Sequence, residues 1–243
     1  MISKEKQKYI RLLHSKKGRQ SESKFLVEGG KNIEELLQSD FKVSFLYLTE
    51  KCVLKYGEKL KNREYIICSE KDIQKSTSLS SNDMGIAIVE CKDQKLPDDF
   101  TDELILVLDT INDPGNLGTI IRIADWYGIK NIFCSHETVD FYSPKVISST
   151  MGSFGRVNII KTDLVDFLST YKNTIYGAYL DGKSIHDSTF DNTGCIVIGN
   201  ESHGISESLG QYITKKITIP RFGGAESLNA GVATAIILDN FKR

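Results

Sequence analysis

Residues 104–128 read LILVLDTINDPGNLGTIIRIADWYG, and this stretch decides the fold. Leu104–Asp109 is a continuous apolar run closed by an acid, the pattern of a strand buried on both faces. A turn follows. Asp113 suits a helix N-cap, where its carboxylate accepts an orphan amide, and Pro114 suits the first helical position. Leu117, Ile120, Ile121 and Ala124 recur at i, i+3, i+4 and i+7, a buried stripe on a helix over Pro114–Tyr127 with Gly128 closing it. At ~100° per residue Arg122 lies roughly opposite that stripe. A buried strand passing through a capped turn into a helix is the repeating unit of a parallel sheet, and ligands bind where such strands end and helices begin. The glycines here, Gly115 and Gly118, do not form G-x-G-x-x-G, the fingerprint of the usual dinucleotide-binding turn.

The same alternation continues outward. Asn131–Cys134, Val157–Ile160, Thr174–Leu180, Cys195–Gly199 and Lys216–Ile219 read as strands, with helical patterns at Pro144–Gly152, Asp163–Tyr171 and Leu228–Asn240. This predicts an α/β domain with a mainly parallel sheet over residues 104–243. Residues 93–103 are polar, hold a proline and lack periodicity, which suits a linker. Before them, Lys24–Glu28, Val43–Leu48, Glu64–Cys68 and Gly85–Cys91 read as strands and Lys31–Gln38 and Glu70–Ser76 as short helices, giving a small α/β module over residues 1–92.

Composition bounds the function. The chain has 243 residues, 40% hydrophobic and 26% charged, with no apolar run near the ~20 residues a bilayer requires. The N-terminus lacks the apolar core of a signal peptide, and a cytoplasmic location is expected. Five cysteines, odd in number and never spaced C-x-x-C, argue against a disulfide framework or a structural zinc site and read as buried free thiols. No metal is expected. The formal net charge of −1 conceals a division: residues 1–95 carry 19 Lys+Arg against 14 Asp+Glu, and the remainder 12 against 18. The basic front suits a polyanionic partner, and a solvated helix face is the alternative.

Two further segments carry chemistry. In CIVIGNESHGIS (195–206) a buried strand ends in a polar turn with Glu201 as candidate, although an ordinary turn with Glu201 in water fits equally. His203, with no second ligand at metal spacing, is structural or peripheral. In ITIPRFGGAESLNAGVATAIIL (217–238) a strand meets a proline, a double glycine and Ser227, which suits the cap of a final helix rich in small residues.

Together, NDPGNLGTIIR (112–122), IGNESHGIS (198–206) and IPRFGGAESLN (219–229) resemble the three motifs of SpoU/TrmH-type RNA 2′-O-ribose methyltransferases of the SPOUT superfamily. The resemblance covers roughly residues 104–242, in the family's order, and the front part resembles an L30e/L7Ae-like RNA-binding domain. It implies a C-terminal parallel-sheet α/β domain with a deep trefoil knot, S-adenosyl-L-methionine as cofactor, and a homodimer whose active site is completed across the interface. Carried over by position, cofactor contacts fall at Gly199, Asn200, Ile219, Pro220 and Leu228, and catalytic positions at Asn116, Arg122, Glu201, Ser227 and Asn229. Arg122 is expected to stabilise the developing alkoxide, Glu201 to orient Arg122 or an amide partner, and Asn116 and Asn229 to hold the ribose and the loops. Lys16, Lys17, Arg19 and Lys24 are the expected RNA contacts. Ala230 and Gly231 stand where the family often has a β-branched residue and a serine. Ribosomal RNA of the 23S type is the expected substrate. Transfer RNA, a non-catalytic RNA-binding protein keeping the fold, and a Rossmann-like oxidoreductase are the alternatives.

Overall fold

The computed structural model describes residues 2–93, 96, 100, 102–191 and 193–243. In chain order the elements are α1 (Lys4–His14), α2 (Lys16–Glu22), β1 (Lys24–Glu28), α3 (Gly30–Leu36), β2 (Val43–Leu48), α4 (Glu50–Tyr56), β3 (Ile66–Ile67), α5 (Glu70–Ser76) and β4 (Gly85–Glu90). There follow β5 (Leu104–Leu108), α6 (Pro114–Trp126), β6 (Asn131–Cys134), α7 (Pro144–Ser149), β7 (Asn158–Lys161) and α8 (Leu164–Thr170). The chain ends with β8 (Ile175–Ser184), β9 (Gly194–Ile198), α9 (Glu207–Gly210), β10 (Lys215–Thr218) and α10 (Ala230–Phe241). They form two units, Met1–Asp93 with Asp140–Arg156, and Gln94–Val139 with Val157–Arg243. Of the expected linker, residues 94, 95, 97–99 and 101 lie outside the described residues.

In the second unit six strands pair in the order β10-β8-β9-β5-β6-β7, every pair parallel. All five residues of β5 and of β9 are buried, as an unbroken aliphatic run requires when both faces are covered. Side chains alternate across a strand. Ile105 and Val107 therefore share one face with Leu164 and Leu168 of α8 and Leu209 of α9, leaving Leu106 and Leu108 for the other. The helix α6 forms as the sequence dictates: Asp113 Oδ1 accepts from the Asn116 amide at 2.9 Å, Pro114 begins the first turn, and Gly128 beyond the last has φ +72°. Its outward side holds Arg122 and Trp126, and α10 packs on it.

The first unit holds the sheet β1-β4-β2-β3. It takes in residues 140–156, a segment that sequence order alone would leave with the second domain. The cause is aromatic burial: Phe154 and Tyr142 pack against Phe25, with ring centroids 6.4 and 4.6 Å away. Two basic helices outside the sequence-based expectation, α1 and α2, precede β1; α1 buries Ile10 and Leu13.

One expected RNA contact is corrected here. Arg19 is buried, 5% exposed. Its Nε and Nη2 donate to Asp140 Oδ2 at 3.0 and 2.6 Å, and Nη1 donates to the carbonyls of Leu13 and His14 at 2.9 and 2.8 Å. A planar guanidinium can serve three acceptors in one plane, which an ammonium cannot. Arg19 thus fastens the end of α1 to residue 140. The five cysteines are free, four of them buried, as expected; burial pushes the Cys134 thiol up to about 12.

Removing Arg19 strands a partly buried carboxylate and two helix-end carbonyls. Arg19→Ala should lower unfolding stability by about 3 kcal/mol in a urea titration, and Arg19→Lys should recover less than half of that. A loss below about 1 kcal/mol would show that the fork is dispensable.

Candidate functional site

The C-terminal ends of β5 and β9 lie side by side, because Leu108 pairs with Ile198. Each strand runs directly into one of the segments singled out from the sequence. The turn after β9 folds back on itself: Asn200 and Gly204 exchange both backbone hydrogen bonds, at 3.0 and 2.8 Å, and Gly204 has φ +69°. A Cβ on Gly199 would sit 2.2 Å from the Gly204 carbonyl carbon, so only glycine allows this approach.

Asn200 and Asp109 hold the turn to the end of β5. Asn200 Nδ2 donates to the Thr110 carbonyl at 2.9 Å, and Asn200 Oδ1 accepts from the amides of Ser202 and His203. The buried Asp109 accepts from the Ser206 amide at 2.8 Å and from its neighbour's hydroxyl, Thr110 Oγ1, at 3.0 Å. Between these contacts Thr110 adopts φ +59°. A β-branched residue in that region is strained by on the order of 1–3 kcal/mol and persists only where its surroundings over-determine it. Here Asn200, Asp109 and Ser135 Oγ, which accepts from the Thr110 amide at 3.0 Å, supply that constraint. Sequence reading missed Asp109, Thr110 and Ser206. The available signal was an acid directly closing an apolar strand.

Across this platform the three segments meet. Asn229 is the N-cap of α10, its Oδ1 accepting from the amides of Gly231 and Val232 at 3.0 and 3.3 Å. The expectation that Ser227 caps this helix is therefore corrected: the helix starts later, at Ala230, and Ser227 lies in an exposed loop. Asn229 Nδ2 donates to Asn116 Oδ1 at 2.7 Å, and Asn116 Nδ2 donates to Glu201 Oε1. The backbone N–H groups of Gly231 and Val232 can only donate and an ionised carboxylate can only accept, so this chain has one direction and both asparagine orientations are set. Glu201 thus has an amide partner, one of its two expected roles.

Arg122 does not join this network. It lies six residues beyond Asn116, about 9 Å along the helix, is exposed, and has no hydrogen-bond or ion-pair partner among the described residues. The expected cofactor positions flank the network. Gly199 follows β9, Ile219 and Pro220 follow β10, and Leu228 is half-exposed just before the cap. Residues 221–229 are all exposed, with Phe222 94% exposed. Between β9 and β10, strand β8 bulges out: its register jumps from Gly177 opposite Lys216 to Lys183 opposite Ile217, leaving Leu180 in solvent. The strand ends therefore present main-chain groups beside apolar side chains, a setting suited to a flat heterocycle. Among the described residues no group of three His, Cys, Asp or Glu is placed to hold a metal ion.

The model of the SpoU rRNA methylase family matches residues 103–239, and that of an MRM3-like substrate binding domain matches residues 4–87. The 23S rRNA (guanosine(2553)-2′-O)-methyltransferase RlmP of Bacillus subtilis is 29% identical over 93% of this chain and 91% of its own length. Among solved structures, an AdoMet-bound rRNA methyltransferase from Sinorhizobium meliloti superimposes with a TM-score of 0.87 at 29% identity, covering 99% of this chain and 95% of its own. The SpoU methyltransferase AviRb from Streptomyces viridochromogenes, in complex with AdoMet, does so with a TM-score of 0.83 at 26% identity, covering 98% and 96%.

The cap and the relay can be separated by substitution. Asn229→Ala removes both and should cost about 1–2 kcal/mol in urea unfolding. Asn229→Asp keeps the cap acceptor but cannot donate to Asn116, and should lose less than Asn229→Ala. Equal losses in the two variants would show that capping is not what Asn229 contributes.

Proposed function

The chain belongs to the SpoU rRNA methylase family, and from that premise we propose that it methylates ribose 2′-hydroxyls of ribosomal RNA as a homodimer. It is an S-adenosylmethionine-dependent RNA 2′-O-ribose methyltransferase. The observation that carries the assignment of roles is the directed chain Asn229–Asn116–Glu201, which gathers the three motifs at the strand ends.

The residues present fit the cofactor: Gly199, Ile219 and Leu228 offer backbone groups and apolar contact at the ends of β9 and β10, and the close approach at Gly199 shapes the turn beside them. When bound, S-adenosylmethionine supplies an electrophilic methyl group to the ribose 2′-oxygen. The protein's task is to place that oxygen in line and to manage its proton, and positioning alone removes much of such a barrier. Asn116 is fixed at both ends, so the α6 N-terminus and the turn after β9 cannot shift independently. Asn200 keeps that turn in shape through its bonds to Thr110, Ser202 and His203. A guanidinium holds its proton too firmly to serve as the base. That of Arg122 instead stabilises the developing alkoxide and grips an adjacent phosphate, while a water or phosphate oxygen takes the proton.

The dimer completes this site. The outward faces of α6 and α10 carry Trp126, 83% exposed, and Val232, 48% exposed. An exposed indole on a packed helix pair suits burial by a second copy, and a two-fold contact there would set each unpaired Arg122 against the partner's relay. The C-terminal trefoil knot belongs to the same proposal, supported by the return of α10 from an edge strand to pack on α6. Ribosomal RNA is preferred over transfer RNA because the chain carries a separate front unit and matches the B. subtilis 23S enzyme over nearly its whole length. Lys16 and Lys17, exposed and without a carboxylate partner among the described residues, and the half-buried Lys24 contribute phosphate contacts. A cytoplasmic location is part of the same reading and rests on the RNA substrate.

Substitutions at Arg122 and Trp126 test these roles. Arg122→Lys keeps the charge but not the fork, and should lower kcat by about 10²-fold with S-adenosylmethionine affinity unchanged by calorimetry; near-normal kcat would sink the proposed role. Trp126 is the only tryptophan in the chain, so its emission should shift to the blue as concentration rises through the dimer constant. Trp126→Arg should sediment as a monomer and lose turnover; a fully active monomer would overturn the shared site.

A further inference from the structure

Eight of the first 27 residues are basic and two are acidic, and the fold separates these charges by use. Arg19 is buried against Asp140, Lys6 lies over the Phe45 ring at 4.1 Å, and Lys24 is half-buried. Lys16 and Lys17 open α2, and on α1 three remain: Lys4, Lys8 and Arg11. They recur at i, i+4 and i+7 on α1, so they fall on one face within about 60° of each other. All three are exposed, and none has a carboxylate partner among the described residues. Of the two acids nearby, Glu22 already accepts from Tyr9 Oη at 3.0 Å.

Resting on the RNA-methyltransferase reading above, we infer that this stripe of α1 is a phosphate-tracking surface that docks the substrate RNA on the front unit. The three cations span about 10 Å of helix, on the order of three phosphates of one strand. Unpaired like charges at this spacing repel one another, and a polyanion removes that cost while releasing its own counterions. Charge complementarity selects RNA over a lipid surface for a further reason. A helix that enters a membrane interface needs a free apolar face, whereas Ile10 and Leu13 on the opposite side of α1 are fully buried with Leu26, Tyr47 and Ile73. The contacts would set affinity and register on the RNA without reading bases. They add to Lys16 and Lys17, which follow at the start of α2.

The test uses the full-length protein and protein-free 23S ribosomal RNA as probe, with binding followed from 50 to 200 mM salt. The charge reversal K4E/K8E/R11E should raise Kd at least tenfold at the low-salt end and flatten the log–log salt slope by about 2. The charge-preserving K4R/K8R/R11K should bind like the parent. S-adenosylmethionine affinity and the urea midpoint should be unchanged in both. Parent-like RNA binding and slope in the reversed variant overturn the proposal, as does loss confined to anionic vesicles of phosphatidylserine and phosphatidylcholine. A parent protein that binds RNA through the stripe yet transfers no methyl group would leave this surface standing and remove the enzymatic reading instead.

Discussion

The arrangement depends on one directed chain of hydrogen bonds. It starts at the backbone amides of Gly231 and Val232, passes through the side chains of Asn229 and Asn116, and ends on the Glu201 carboxylate. Each asparagine receives on its oxygen and gives from its nitrogen. Because donors stand at one end and an acceptor at the other, flipping Asn116 breaks two bonds and flipping Asn229 breaks three. Segments 85 and 113 residues apart in sequence are thereby locked into one geometry. The start of α10, the start of α6 and the turn after β9 become a single object.

That object needs a base, and the base is strained. Thr110 holds a left-handed backbone at the end of β5 because Asp109 and Asn200 bind on either side of it and Ser135 takes its amide. The same two side chains tie down the turn that carries Glu201. Local strain is tolerable here because a fully buried strand precedes it and a well-capped helix follows. Arg122 stands apart from the relay, exposed on α6 and without a hydrogen-bond or ion-pair partner among the described residues. On the proposed reading, the fixed frame positions the oxygen and the exposed guanidinium meets the charge that develops.

The front unit obeys a different logic. Its positive charge is not uniform in purpose, since Arg19 and Lys6 are spent on structure whereas Lys4, Lys8 and Arg11 face water. Counting charges along a sequence cannot make this distinction. The decisive variable is which side of α1 the core consumes, and that depends on Ile10 and Leu13 reaching the sheet.

Much of the second unit was legible in the sequence. LILVLD, Asp113-Pro114 and the Leu117–Ala124 stripe specify a buried strand, a capped turn and a helix through local physics alone, and the structure holds each of them. Glu201 was a candidate from its place at a strand end, and Asn116 and Asn229 from resemblance, but their joining in one chain was not legible, because hydrogen bonds across such separations have no periodic trace. The same limit explains Arg19 and Ser227. Arg19 became structural because Asp140, distant in sequence, came within reach, and Ser227 lost the cap to Asn229 because the helix start is set where Asn229 meets Asn116. Sequence by itself determined the local elements, whose causes are neighbouring side chains and backbone propensity. Tertiary structure alone decided which polar groups are consumed by the fold and which remain for RNA and catalysis, since burial and partner distance exist only once the chain has closed on itself.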